Sequence, residues 1–176
     1  EGITSSGVVA IGFQAGNDGV DVKDESVIIG YQAGALGCGD STVCVGRSAG
    51  HGVNCKNSDN SVLIGARVCT GLSGTYNDDC IVIGSDSGIG GTGSSSICIE
   101  SAGRSSVVGT LQGNDFICIG NEVGQAPDMK SKSISIGSKE TNFGFSSATS
   151  DNGIGYGSVA IGASCNGVAN STAKRG

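Results

Sequence analysis

Tryptophan is absent from this chain, and proline, methionine and histidine occur once each. Only seven residues are aromatic, so any core must consist of thin layers of small aliphatic side chains. His51 alone cannot build a Ser/His/Asp or Cys/His catalytic set. No stretch approaches the roughly 18 apolar residues of a transmembrane helix, and Glu1–Thr4 lacks the basic start and apolar core of a secretory signal. We therefore expect no enzyme and no membrane insertion.

Runs of lysine or arginine are also missing. The formal net charge is −6 over 176 residues. Proteins that bind nucleic acid neutralise phosphates with basic patches, and anionic membrane surfaces attract the same patches. The charge pattern excludes both partner classes.

Glycine and β-branched residues are abundant, and they repeat. The chain has 33 glycines. A glycine follows each of nine short aliphatic triplets, with Glu100 as the exception. We call these residues the anchors; they are Gly12, Gly30, Gly46, Gly65, Gly84, Glu100, Gly120, Gly137 and Gly162. A period of roughly 20 residues is typical of a solenoid.

The first and third residues of every triplet are Val or Ile. The first residues are Val9, Val27, Val43, Val62, Ile81, Ile97, Ile117, Ile134 and Val159. The third residues are Ile11, Ile29, Val45, Ile64, Ile83, Ile99, Ile119, Ile136 and Ile161. Because these two residues lie two apart on a strand, their side chains point to the same face. We expect that face to be the core.

A second short segment follows each anchor, as in Tyr31-Gln32-Ala33-Gly34. Its small residue, three past the anchor, is expected to point into the same core. The pattern predicts an all-β fold, a parallel β-solenoid (β-roll) of about nine coils with two short strands per coil. We expect one domain over 1–176, with repeats in 8–166 and a C-terminal tail at 167–176.

The middle residue of each triplet should then face outward. Ile28, Leu63 and Val82 stand there among small or sulfur-bearing residues. An exposed apolar strip of this kind is typical of a protein–protein interface. These three residues are our predicted side-packing interface.

The ends of the roll offer no capping helix in the sequence. Two explanations fit: the chain is cut from a longer protein, or its bare strand edges pair with other copies. End-to-end addition that does not close makes a filament, and we favour this second explanation. We expect Val8 and the first strand of one copy to meet Val159 and Ile161 of the next.

Eight cysteines without C-x-x-C spacing favour disulfides in an extracellular setting over zinc. Cys98 and Cys118 occupy the same position in successive coils, roughly 4.8 Å apart by strand spacing. Neighbouring connections suggest two further pairs, and two cysteines remain that could bridge subunits. The predicted pairs are Cys38–Cys55, Cys69–Cys80 and Cys98–Cys118, and the intersubunit candidates are Cys44 and Cys165. The alternative is buried thiols acting as small hydrophobes.

Other motifs are weak. A G-x-G-x-x-G match at 88–93 runs straight into the next strand instead of a helix, so it is a loop. Asp-rich loops such as Asp59-Asn60 match no calcium-binding pattern and are better explained as solvated turns. Asn170 begins a glycosylation sequon. We expect no catalytic residue, no metal site and no cofactor.

Ser158-Val159-Ala160-Ile161-Gly162 closely resembles the head repeats of bacterial trimeric autotransporter adhesins. Repeats similar to residues 29–34 also occur in viral and phage fibre proteins. The resemblance spans 8–166 and implies a left-handed β-roll packed in threes. The chain departs from it in its eight cysteines and in the lack of a coiled-coil stalk or membrane anchor within it.

Two functions compete. The first is a structural subunit of an extracellular filament or surface fibre, self-associating end to end and side by side. The second is a trimeric adhesin or viral fibre head at a cell or virion surface that binds a host receptor or glycan. The uncapped ends and cysteines favour the first, and the repeat motif favours the second.

Overall fold

Nine short strands follow one another along the chain in the computed structural model. The structure describes residues 5–17, 23–52, 59–70, 78–87, 94–101, 115, 117–120, 134–137 and 159–162. The strands are β1 (Val9–Ile11), β2 (Val27–Ile29), β3 (Val43–Val45), β4 (Val62–Ile64), β5 (Ile81–Ser85), β6 (Ile97–Ser101), β7 (Ile117–Gly120), β8 (Ile134–Gly137) and β9 (Val159–Gly162).

All nine strands form one parallel sheet in sequence order. Each triplet pairs residue for residue with the next, from Val9 opposite Val27 to Ile136 opposite Ile161. The parallel β-solenoid and the repeat register are therefore confirmed. β-branched side chains stacked in rows suit the pleated surface of such a sheet.

In the coils where the structure describes it, the second segment is a turn and not a strand, which corrects the prediction of two strands per coil. Residue two past the anchor has a left-handed backbone, as at Gln14, Gln32, Ser48 and Arg67, with φ between 54° and 57°. Left-handed residues cannot continue a strand. About four full turns of the solenoid are described, so the predicted nine coils overstates the count.

The anchor glycines stack directly on one another. Gly30 has φ 134°, and a Cβ added there would lie 2.4 Å from the carbonyl oxygen of Gly46. Gly12 makes the same approach to Gly30. Only glycine fits where a positive φ and a close backbone contact coincide. The row of anchors thus fixes the bend that turns each strand into its turn segment.

The core lies between the strands and the turn segments, and the middle residue of the triplet points into it. Ile28, Cys44, Val82 and Cys98 are buried, and Leu63 is only 2% exposed. The predicted orientation of the triplets is therefore wrong. Ile28, Leu63 and Val82 are core residues and cannot form the side-packing interface.

Two neighbouring rows explain this orientation. Residues three past the anchor, such as Ala33 and Ala49, are fully buried, as expected from the sequence. Ser26, Thr42 and Ser61, each just before a triplet, are buried as well. Since side chains alternate along a strand, a buried residue before the triplet places its middle residue inside and its Val and Ile outside. The space between the strand and the turn segment therefore accepts only the middle residue of each triplet from β2 to β6.

Candidate assembly face

The outer face of the sheet consists of the first and third residues of the nine triplets. Apart from Val159, whose side chain lies outside the described residues, each is half-buried or exposed. Ile11 is 58% exposed, Ile64 36% and Ile161 65%. Two rows of Val and Ile thus run unbroken along the outside of the sheet.

The outer face is large for an exposed apolar surface. Nine strands at about 4.8 Å spacing make a strip about 40 Å long. Two β-branched side chains on one strand are about 7 Å apart and each is about 4 Å wide, so the strip is about 11 Å wide and covers about 400–500 Å². Exposed apolar patches of this size are typical of protein interaction sites.

Side chains on the turn segments stack from coil to coil. The rings of Phe13 and Tyr31 are stacked with centroids 5.6 Å apart, and both residues are exposed. Beside them, the Gln32 side-chain amide donates to the Gln14 oxygen at 2.9 Å. These contacts place an aromatic and amide pair on the first two turn segments.

Further along the same row, Arg67 donates two hydrogen bonds to the carboxylate of Asp86. The paired guanidinium lowers the pKa of Asp86 below its ordinary value, while partial burial opposes that shift. The same hydrogen bond raises the pKa of Arg67. The pair links the fourth and fifth turn segments.

Before the strands, four aspartates form a ladder that the sequence reading missed. Each carboxylate accepts a hydrogen bond from the backbone N–H of the preceding coil: Asp24 from Ser6, Asp40 from Asp24, Asp59 from Asp40 and Asp78 from Asp59. The distances are 2.8–3.0 Å. The aspartate ladder therefore joins successive connections through hydrogen bonds.

A signal for the ladder was present. Each aspartate stands three residues before a triplet, followed by a left-handed residue and then a buried Ser, Thr or Cys. The hydroxyls of Thr42 and Ser61 donate back to the carbonyls of Asp40 and Asp59. Asp with a downstream hydroxyl is a common turn signature.

Five cysteines have described side chains, and all are buried. They are Cys38, Cys44, Cys69, Cys80 and Cys98. No pair among them is at disulfide bonding distance, so the predicted Cys69–Cys80 bond is not formed. The Cys80 thiol instead donates to the carbonyl of Asp78 at 3.5 Å, in the position where other coils place a hydroxyl.

The structure describes only some of the other cysteines that were predicted to form disulfides. Cys98 and Cys118 face each other in register across β6 and β7, as expected, but the Cys118 side chain lies outside the described residues. The sulfur of Cys38 lies 3.0 Å from that of Cys44. Cys55 and Cys165 lie outside the described residues, and so does Asn170.

The predicted end-to-end joint names Val8, Val159 and Ile161, whose places in the structure differ. Val8 is not in β1; it is half-buried and packs against the core cluster. The strand that would pair is Val9–Ile11. Among the described strands, β1 and β9 are the edges of the sheet, and Ile161 is exposed on β9.

The described segments hold neither a metal-binding cluster nor a membrane-spanning helix. They contain no group of three or more His, Cys, Asp or Glu placed to hold a metal ion. Nor does any helix in them have the length and apolar character needed to cross a membrane.

No protein-family model matches this chain, and neither a curated protein nor a solved structure is found to be similar to it. The resemblance to adhesin heads therefore rests on the short repeat motif, while the solenoid itself is seen in the structure.

Proposed function

We propose that this protein is a structural subunit of an extracellular filament or surface fibre. Copies associate side by side through the outer face and end to end through β1 and β9. The observation that carries the proposal is the outer face itself, two rows of Val and Ile along the sheet whose described side chains are all half-buried or exposed.

An outer face made only of Val and Ile would not stabilise a protein that stays monomeric. Positions exposed to water tolerate Thr, Lys or Glu on a strand, and such residues protect against unwanted association. All eighteen outer-face positions are nevertheless Val or Ile. A second copy carries the same rows at the same spacing, so its face is complementary in both chemistry and period.

The area favours an extended assembly over an isolated pair. A stable interface buries about 800 Å² per partner, and the outer face supplies about half of that. Adding copies end to end extends the strip with every subunit. The contact between two neighbouring fibres then increases with length, since each copy contributes its own 400–500 Å² or so.

The edges of the sheet supply the end-to-end contact. An edge strand presents unpaired N–H and C=O groups that pair with another strand. The resemblance to adhesin heads, which pack as rolls side by side, supports the lateral contact. The cysteine content supports an oxidising, extracellular location.

Outer-face residues on β4 and β6 provide a test. Lysine at Ile64, alone or with Ile99→Lys, places charge on the outer face and should lower the oligomeric mass by light scattering while the β-sheet circular dichroism is retained. Ser6→Lys, in an exposed turn, is the matched control and should leave the mass unchanged. Unchanged mass in the double variant would contradict association through this face.

A receptor-binding head is the second candidate. Stacked, exposed Phe13 and Tyr31 beside the Gln14–Gln32 pair resemble the aromatic and amide groups that contact ligands at binding surfaces. Electron microscopy separates the two functions, because a head gives discrete trimers and a structural subunit gives filaments.

A further inference from the structure

Cys38, in the second connection of the roll, and Cys44, in β3, bring their sulfur atoms together. The two Sγ atoms lie 3.0 Å apart, and both side chains are fully buried. Non-bonded carbon atoms pack at about 3.5–4.0 Å, so these larger sulfur atoms are closer than ordinary packing places them. A thiol–thiol hydrogen bond or a covalent bond accounts for such an approach.

Each sulfur lies directly against a glycine. A Cβ on Gly34 would lie 2.6 Å from the Cys38 sulfur, and a Cβ on Gly50 would lie 2.7 Å from the Cys44 sulfur. The glycines that end two successive turn segments therefore leave the space that the sulfurs occupy. Cys44 is fixed further by β3, where it pairs with Ile28 and Leu63 on either side.

We propose that Cys38 and Cys44 form a disulfide within one coil, in place of the bonds to Cys55 and to a neighbouring subunit that the sequence suggested. The bond would tie residues 38–44 into a small covalent ring next to the core. It leaves Val43 and Val45 pointing to the outer face, so it is independent of the proposed function.

The bond requires an oxidant, which we take to be a small-molecule disulfide such as oxidised glutathione. One cysteine thiolate attacks the glutathione disulfide, forms a mixed disulfide and releases one glutathione thiol. The second cysteine attacks the protein sulfur of that mixed disulfide and releases the other. Two thiol protons leave the protein and end on the two glutathione molecules. Since both sulfurs are buried in the folded roll, the exchange takes place during folding.

Peptide mapping tests the bond directly. Reduced protein is refolded with oxidised glutathione, denatured, blocked with N-ethylmaleimide and cut with trypsin. Both cysteines fall in one peptide, 24–47, and Cys55 falls in the next, 48–56. We expect peptide 24–47 without label and about 2 Da lighter, because two hydrogen atoms are lost on oxidation.

Three results would overturn the proposal: label on either cysteine, a retained glutathione, or a link from peptide 24–47 to the peptide containing Cys55 or Cys165. Cys38→Ala should abolish the mass loss and leave Cys44 reactive, whereas Cys98→Ala, at another buried cysteine, should not change peptide 24–47. Mapping of the unsubstituted protein decides the matter even where a variant fails to fold.

Discussion

At the scale of the residue, backbone conformation decides which side chains are allowed. The anchor Gly30 combines φ 134° with a carbonyl oxygen 2.4 Å from any added Cβ, while Gly7 has φ 71° and only ordinary contacts near 3.5 Å. Gly30→Ala therefore adds overpacking to backbone strain, and Gly7→Ala adds strain alone.

We expect Gly30→Ala to lower the free energy of unfolding by about 3 kcal/mol or more, and Gly7→Ala by about 1–2 kcal/mol. Urea denaturation of both variants measures the difference. Equal losses would show that the stacked anchors are not in close contact.

Charge acts at the same scale through Arg67 and Asp86. The folded-state pKa of Asp86 is lowered by Arg67, so the carboxylate stabilises the fold at a pH above its unfolded value, about 3.9. That contribution is lost as the pH falls below this value and through the lower folded pKa. Asp86→Asn should remove this part of the acid sensitivity in thermal melts between neutral pH and about pH 2. If the difference in melting temperature between the parent protein and Asp86→Asn stays constant across that pH range, Arg67 and Asp86 do not form a stabilising pair.

At the scale of the element, the connections before the strands are joined through the aspartate ladder. Asp40 illustrates the contact, since its carboxylate accepts the backbone N–H of Asp24 at 3.0 Å. Asp40→Ala removes the acceptor, so the Asp24 N–H must bond to water. Asp40→Asn keeps an acceptor, because the amide oxygen takes the place of the carboxylate oxygen.

Asp40→Ala should destabilise the roll by about 1 kcal/mol, and Asp40→Asn should stay close to the parent protein. Chemical denaturation compares the two. If both substitutions cost the same, the carboxylate acts through its charge and not through the hydrogen bond to Asp24.

The repeat spacing was sufficient to predict the strands, their parallel order and their register, because the triplet and its anchor recur in every coil. The direction of the triplets was predicted wrongly, because Val and Ile suit both a core and an apolar outer face. Ser26 and Thr42, buried just before their strands, would have decided it, but serine and threonine are usually read as surface residues. The turn segments were mistaken for strands because nothing in Gln14 or Gln32 signals a left-handed backbone.

Adjacent residues on β4 test this orientation. Leu63→Ala opens a cavity in the core and should cost about 2–5 kcal/mol, while Ile64→Ala, on the outer face, should cost less than about 1 kcal/mol in the isolated subunit. Measuring the free energy of unfolding at low protein concentration keeps association between subunits from contributing to it. A larger loss at Ile64 than at Leu63 would reverse the assignment of inside and outside.

At the scale of the whole molecule, the sheet sets the length of the subunit and therefore the repeat of any fibre. Nine strands at roughly 4.8 Å make a body about 43 Å long. If β9 of one copy pairs with β1 of the next, the rows of Val and Ile continue across the joint, and the register of the sheet is preserved.

The filament should then show an axial rise of about 40–50 Å per subunit and strong meridional diffraction near 4.8 Å, both set by the strand spacing. Proline at Ala10, in the edge strand β1, removes an N–H from that edge and should shorten or abolish filaments. Proline at Ser6, in the turn before β1, removes a hydrogen bond to Asp24 within the subunit and controls for a loss of stability. Cryo-electron microscopy measures the rise and the filament length. Discrete trimers under all conditions, or a rise well outside this range, would show that the outer face closes small assemblies and that β1 and β9 are not joints.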